Sequence, residues 1–325
     1  MTTVSHALNG KGRLPDDTRQ HVRKVADKLG YRPNASARNL VGGKTGLIGL
    51  VVSQSSKRSF VVSDFEYFTE IMSAATTAAM ARGYALVLAP PQWGLGGPDA
   101  VAVDGAIVID PLRRDALVRH FNDAGTPVVT TGRALDPVGP ANWVDNDHVA
   151  ATTRVLDHLA RRGARRIALL TSPTRISYTV DVEAAYHAWC SQQEMVPLVK
   201  HASADLTERA GFAAATDMLS LDHPPDAIFA TYDRLAYGVV LAAEARDMSV
   251  PGDLLLVMTA TNRGAAPTRP AITALDLHPD QIGRLAAEML VDLIEDCEPD
   301  QRQVVVPTRL VTRGSTSQRT AGVPG

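Results

Sequence analysis

Apolar and polar positions follow two different rhythms along this chain. Runs such as Leu47-Ile48-Gly49-Leu50-Val51-Val52 and Gly105-Ala106-Ile107-Val108-Ile109 are short and almost wholly apolar, as strands buried on both faces are. Between them, apolar residues recur three and four apart, the spacing of a helix with one buried face. In chain order the pattern predicts strand 47–52, helix 65–82, strands 84–89 and 105–109, helix 113–124 and strand 127–131. Helix 149–162, strand 166–170, helices 180–193 and 206–220 and strand 227–230 continue it. Helix 234–246, strand 254–258, helix 279–296 and strand 303–307 close the series. This alternation predicts an α/β fold of parallel sheets covered on both faces. Two sheets are expected rather than one, because a single core rarely keeps growing at this length.

The first 45 residues are built differently. Pro15 and Asp16 open a helix that Gly30 stops, with Val22, Val25, Ala26 and Leu29 on one stripe. Before it, Thr2 to Leu8 reads as a short helix closed by Asn9-Gly10. After it, Asn34 can cap a third helix, Ala35 to Leu40. That helix is too short to persist in water, so it should form only when something holds it. Gly42-Gly43-Lys44 is then a flexible joint. Residues 1–44 carry nine Lys/Arg and three Asp, a net charge of +6, while the rest carries 24 basic and 32 acidic residues, a net of −8. A basic head on an acidic body fits a polyanion partner such as nucleic acid, although a solvated basic helix face would have the same composition.

Composition narrows the class further. Of 325 residues, 45% are hydrophobic and 21% charged, a globular balance that excludes disorder and collagen-like repeats. No apolar run approaches the roughly 20 residues of a membrane helix. The start, MTTVSHALNGKGR, lacks a secretory pattern. Cys190 and Cys297 are too few for a disulfide framework or a four-ligand zinc site. The expectation is a soluble cytoplasmic protein. Reaction chemistry is hard to find. Gly43-Lys44-Thr45 lacks the earlier glycine of a phosphate loop, since position 38 is Arg. Gly94 to Gly97 lies in a loop and does not join strand to helix. The nine histidines have no metal spacing, and no Gly-x-Ser-x-Gly elbow occurs. Asp145, Asp147 and Asp233 stand at strand or helix ends and read as helix caps. No enzyme, metal or cofactor is expected.

The most specific signal is at the N-terminus. Thr3-Val4-Ser5-His6-Ala7-Leu8-Asn9-Gly10, Thr18-Arg19, Leu29-Gly30-Tyr31-Arg32-Pro33-Asn34-Ala35, Ala37-Arg38 and Leu40 closely resemble the headpiece of the lactose-repressor (LacI/GalR) family of bacterial transcription regulators. Later landmarks are looser: Val103-Asp104-Gly105, Val144-Asp145-Asn146, Arg165-Arg166-Ile167-Ala168 and Asp226-Ala227-Ile228-Phe229-Ala230. The resemblance spans essentially the whole chain. It implies a helix-turn-helix head, a hinge helix and a two-lobed core like that of periplasmic binding proteins. By resemblance, Met1, Thr2 and His6 take base-reading positions in the major groove. Thr3, Ser5, Asn9 and Thr18 take phosphate-contacting positions, and Tyr31 and Asn34 belong to the same DNA-binding set. His6 stands where Arg is usual, so the preferred bases should differ, because Arg can grip guanine twice and His once. Leu40 matches the residue that, paired across a dimer, pries open the central base step, with Ala37 and Arg38 beside it.

Two departures from the family pattern stand out. The resemblance places Met1 inside the helix-turn-helix, so the helix that normally precedes the recognition helix is absent from this sequence. A start codon assigned too late and a shortened protein with impaired DNA binding are the two explanations. The second departure lies in the effector cleft. Sugar-binding relatives often carry Arg where this chain has Val182, Asn where it has Tyr232, and Gly-Phe-Asp-Asp where it has Met258-Thr259-Ala260-Thr261. Losing charge-assisted partners for hydroxyls argues against a conventional sugar. Tyr67, Arg133, Tyr178 and Tyr232 are the candidates to line the remaining cleft, which would suit a flatter or an anionic ligand. Packing roles for some of them, and a variant blind to effector, stay open.

The sequence therefore predicts a DNA-binding regulator, a repressor working as a homodimer on a palindromic operator under a small-molecule effector. A headpiece and hinge are expected at 1–45 and a core at 46–314. The first lobe would hold about 46–145 and 276–306, the second 146–275 and 307–314, with a frayed tail at 315–325. The alternative is a solute-binding sensor with no DNA binding, its headpiece being incomplete. An enzyme on the same two-lobed fold is a more distant rival, for want of any nucleophile, base or metal set.

Overall fold

The structure is a computed structural model, and it describes residues 4, 7, 14–29, 44–53, 66–89, 101–136, 139, 141–261 and 268–317. Of the headpiece, α1 spans Asp16–Lys28, with Asp16 and Asp17 at its positive end and Lys28 at its negative end. Its apolar stripe is only partly covered: Ala26 is buried, while Val25 and Leu29 are exposed. Thr18 lies half-buried in its first turn. The other expected DNA-contacting residues, Thr2, Thr3, Ser5, His6, Asn9, Tyr31, Asn34, Ala37, Arg38 and Leu40, lie outside the described residues.

The rest forms two six-stranded sheets. The first contains β1 (Leu47–Val52), β2 (Ala85–Ala89), β3 (Gly105–Ile109), β4 (Val128–Thr131), β5 (Trp143–Asn146) and a late strand, Gln303–Val306. All of its pairings are parallel, for example Ile48 beside Gly105 and Ile107 beside Val129. The second contains β6 (Ile167–Thr171), β7 (Val199–His201), β8 (Ala227–Ala230), β9 (Leu255–Thr259), β10 (Thr273–Asp276) and a last strand, Arg309–Val311. Only the pairing of β10 with that last strand is antiparallel. The central strands are buried along their whole length because helices cover both faces, which is why their sequences are unbroken apolar runs.

The helices that shape the cleft are α2 (Glu66–Ala81), α3 (Ala116–Asp123), α4 (His148–Arg161), α5 (Ser177–Gln192), α6 (Glu208–Leu219), α7 (Asp233–Glu244) and α8 (Pro279–Ile294). Helix α8 packs along α2 and across β3, β4 and β5. Their approach is close enough that a Cβ on Gly283 would stand 2.3 Å from the carbonyl oxygen of Ile71. The chain leaves the first sheet after Asn146, returns after Asp276 and leaves again after Val306. One side chain ties these crossings together. The buried Asn146 amide donates to the carbonyls of Leu277, at 3.0 Å, and Val306, at 2.8 Å.

Several expectations need correction. Strands β5, β7, β10 and Arg309–Val311 carry no pattern that predicts them: each has three or four residues, several polar. Their partners supply the ladder that their own composition does not announce. Helix α5 begins at Ser177 rather than near 180. The tail does not fray at Ser315. Ser315 and Thr316 are buried in a 3₁₀ turn, where the Ser315 hydroxyl accepts from the Thr273 amide at 2.8 Å and Thr316 meets His158 Nε2 at 2.8 Å. Among the described residues no helix is long and apolar enough to cross a membrane.

Candidate effector site

Chain segments at the carboxyl ends of the strands converge on a cleft between the two sheets, where open α/β sheets bind their ligands. From the first sheet come Asp110, just after β3, Asp145 within β5, and Glu66, Tyr67 and Phe68 in the first turn of α2. From the second come Tyr178 at the start of α5, Thr231 and Tyr232 after β8, Asp233 opening α7, and Thr259 ending β9. His148, at the start of α4, and Leu277 and Pro279, leading into α8, belong to the crossings. The space between these walls is about 680 Å³ when the open mouth is counted.

Asp145 is the best-anchored group. One oxygen accepts from the Arg133 amide at 2.8 Å and the Ser177 hydroxyl at 3.1 Å. The other meets the Asn146 amide and His148 Nε2, both at 2.8 Å. Burial alone would raise its carboxyl, but the His148 hydrogen bond and charge and the two amides outweigh that and hold it below its ordinary value. Asp110 shows the opposite balance. Burial, reinforced by the Asp145 charge and opposed by His148, pushes its carboxyl up to about 7. Asp233 is raised too, by burial and then by Glu66 facing it, against the amide of Arg234.

The aromatic side is equally ordered. The Tyr178 hydroxyl donates to the Thr231 carbonyl at 2.8 Å and receives the Thr259 hydroxyl at 2.8 Å. Its ring stands edge-on to Tyr232, 5.9 Å between centroids, and to His148 at 4.9 Å. Burial raises the hydroxyls of Tyr67, Tyr178 and Tyr232 well above the ordinary tyrosine value, so all three are neutral donors.

Of the four residues expected in the cleft, the structure brings Tyr67, Tyr178 and Tyr232 together. Arg133 stands outside the lining, with its guanidinium on Asp181 and its Nε 3.9 Å from Asp145. Val182 is buried in the hydrophobic core beside Tyr186, so the position where sugar-binding relatives often place Arg offers no polar group. Asp147 is a helix cap as expected, accepting from the Ala150 amide. Asp145 and Asp233 instead face the cleft. Sequence reasoning missed Glu66, Phe68, Asp110 and His148. The available signal was position: Asp110 directly follows an unbroken apolar strand. An anionic ligand is not supported, because four carboxylates line the cleft and no Lys or Arg does among the described residues.

Comparison with known proteins agrees with this architecture. Residues 1–34 match the family of bacterial regulatory proteins called the lacI family, and residues 156–316 match a periplasmic binding protein-like domain. The HTH-type transcriptional regulator CelR of Thermobifida fusca is 30% identical, the alignment covering 96% of this chain and 94% of CelR. The HTH-type transcriptional repressor PurR of Shigella dysenteriae is 27% identical, over 97% of this chain and 93% of PurR. Among solved structures, a CelR–cellobiose complex superimposes with a TM-score of 0.73 at 26% identity, covering 96% of this chain and 95% of that one. A lac repressor dimer bound to operator and anti-inducer shares the fold, with a TM-score of 0.81 at 21% identity over 97% of this chain and 94% of that one. With a regulatory head matched at one end, a binding-protein core at the other and a relative 30% identical along nearly all of it, the chain belongs to the lacI family of bacterial regulatory proteins.

Proposed function

We propose that this transcriptional regulator represses its target genes in the cytoplasm as a homodimer on a palindromic operator, under control of a small molecule held in the cleft. The observation that carries the reading is one chain joining a matched DNA-binding head, residues 1–34, to a two-sheet core with a lined cleft between its sheets. A head that reads one half-site needs a partner, and two-fold symmetry matches a palindrome. In this reading Thr2 and His6 meet base edges, and Thr3, Ser5, Asn9, Thr18, Tyr31 and Asn34 fix the head on the backbone. Ala37, Arg38 and Leu40 work in the minor groove. A ligand bridging both sheets changes the geometry at the crossings, and the marginal hinge helix forms or melts in response.

The test is fluorescence anisotropy across a salt series, on palindromes upstream of the protein's own gene and on random DNA. A steep salt slope with an affinity for one palindrome at least a hundredfold above random DNA is the expected result. Equal affinity for both would overturn the regulator reading in favour of a sensor without DNA binding.

A further inference from the structure

The cleft is rich in acceptors and poor in cations. Glu66, Asp110, Asp145 and Asp233 line it, and His148 is the only lining group able to carry positive charge among the described residues. The carboxylates are not equivalent. Asp145 is saturated by two amides, a hydroxyl and His148. Arg133, beside Asp145, is held by Asp181. Asp110 has neither: no side-chain hydrogen bond or ion pair meets its carboxylate among the described residues. It sits half-buried at the end of β3, with its backbone in the left-handed region at φ 49°.

His148, across the cavity, is held in place by Asp145. His148 is 4% exposed, and its Nδ1 has no hydrogen-bond partner. Its other ring nitrogen, Nε2, is engaged by Asp145 at 2.8 Å. Asp110 is therefore the lining carboxylate left for a donor, in a cavity walled by Tyr67, Phe68, Tyr178 and Tyr232. Aromatic faces attract a cation through their quadrupoles, and a carboxylate supplies the opposite charge. An anion would meet four carboxylates. A neutral polyol would find acceptors but no guanidinium, since Arg133 is held outside the lining and Val182 is core.

We infer that the cleft binds a small organic cation with N–H donors, a protonated amine whose charge rests on Asp110 and whose carbon skeleton lies among Tyr67, Tyr178 and Tyr232. The inference rests on reading this cleft as the effector site.

The experiment is calorimetric titration of the full chain at neutral pH with probes matched in shape and differing in charge. Glucosamine, tyramine and putrescine are the cations; glucose, tyrosol, 1,4-butanediol and cellobiose are the neutral probes; glucuronate, 4-hydroxyphenylacetate and succinate are the anions. At least one cation should bind tenfold or more tightly than its neutral counterpart. Asp110→Asn should weaken that cation at least tenfold, and Asp110→Glu should largely restore it, with melting curves showing both variants folded. A neutral or anionic probe binding as tightly as its cation overturns the inference, as does cation affinity unchanged in Asp110→Asn or silence from every probe. Cellobiose binding that Tyr178→Ala abolishes would keep this cleft as the effector site while removing the cation. Operator affinity, measured on the same preparation without ligand, reports separately on the regulator reading.

Discussion

The ammonium of Lys44 donates to the carbonyl of Ile294, the last residue of α8, at 2.9 Å. The other end of α8 begins at Pro279, in the wall of the cleft. One helix of 16 residues, about 24 Å long, therefore runs from the wall of the cleft to Lys44, three residues before the first strand of the core. The neighbouring chain is pinned as well, because Asp104 accepts from the amides of Thr45 and Gly46 at 2.6 and 2.7 Å. A cation on the negative end of a helix contributes only about 0.3–1 kcal/mol. In the proposed reading, its larger effect is to fix the place from which the hinge starts.

Lys44→Met should accordingly leave the melting temperature within a few degrees of the parent but weaken operator binding about two- to fivefold. Lys44→Arg should restore it. Anisotropy across a salt series separates this role from a phosphate contact. An anchor leaves the slope of log affinity against log salt unchanged, whereas loss of a phosphate contact lowers it by about one.

Asn146 supports the core in a different way. Its amide satisfies two buried carbonyls, Leu277 and Val306, at the other two chain crossings. Removing it leaves both without that donor, and an unsatisfied buried polar group costs about 1–3 kcal/mol. Asn146→Ala should lose on the order of 2–4 kcal/mol in denaturant unfolding. Asn146→Asp should be at least as damaging at neutral pH, because a carboxylate cannot donate and brings a second charge beside Asp145.

How much of this was readable follows physical lines. The strands Leu47–Val52, Gly105–Ile109 and Ala227–Ala230 were legible residue by residue, because burial on both faces leaves an unbroken apolar run. Trp143–Asn146 was not, since its Asp145 and Asn146 serve the cleft and the crossings rather than the core. Tyr67, Tyr178 and Tyr232, expected in the cleft, do line it. Asp110 and His148 were not, because only the converging strand ends show that they face a common space. Arg133 was the reverse case: its charge marked it for the cleft, and its partner Asp181, 48 residues away in sequence, takes it elsewhere.

Leu40 is expected to act only in the bent complex. If two hinge helices wedge the central step, the hydrophobic contact is made on the operator and not on straight random DNA. Leu40→Ala should then weaken operator binding by about 1–3 kcal/mol and random-sequence binding hardly at all. Competition anisotropy with both DNAs checks it, and equal losses on the two would count against the wedge.

Asp110 makes stability depend on pH in a defined direction. Its carboxyl sits at about 7 in the folded chain, against about 3.9 for an unfolded aspartate. The folded state therefore holds the proton more tightly. That contribution is present in full below about pH 4 and is lost as the pH rises toward 7, where an ionised Asp110 faces Asp145 in a half-buried site. Asp110→Asn removes the titration and keeps the shape. Relative to the variant, the parent should lose melting temperature progressively between pH 4 and pH 8, the gap widening by on the order of 5 °C. Because other groups titrate equally in both proteins, the difference between the two curves isolates this one carboxyl. A gap that stays constant across the range would mean that the Asp110 carboxyl is not raised in the folded chain.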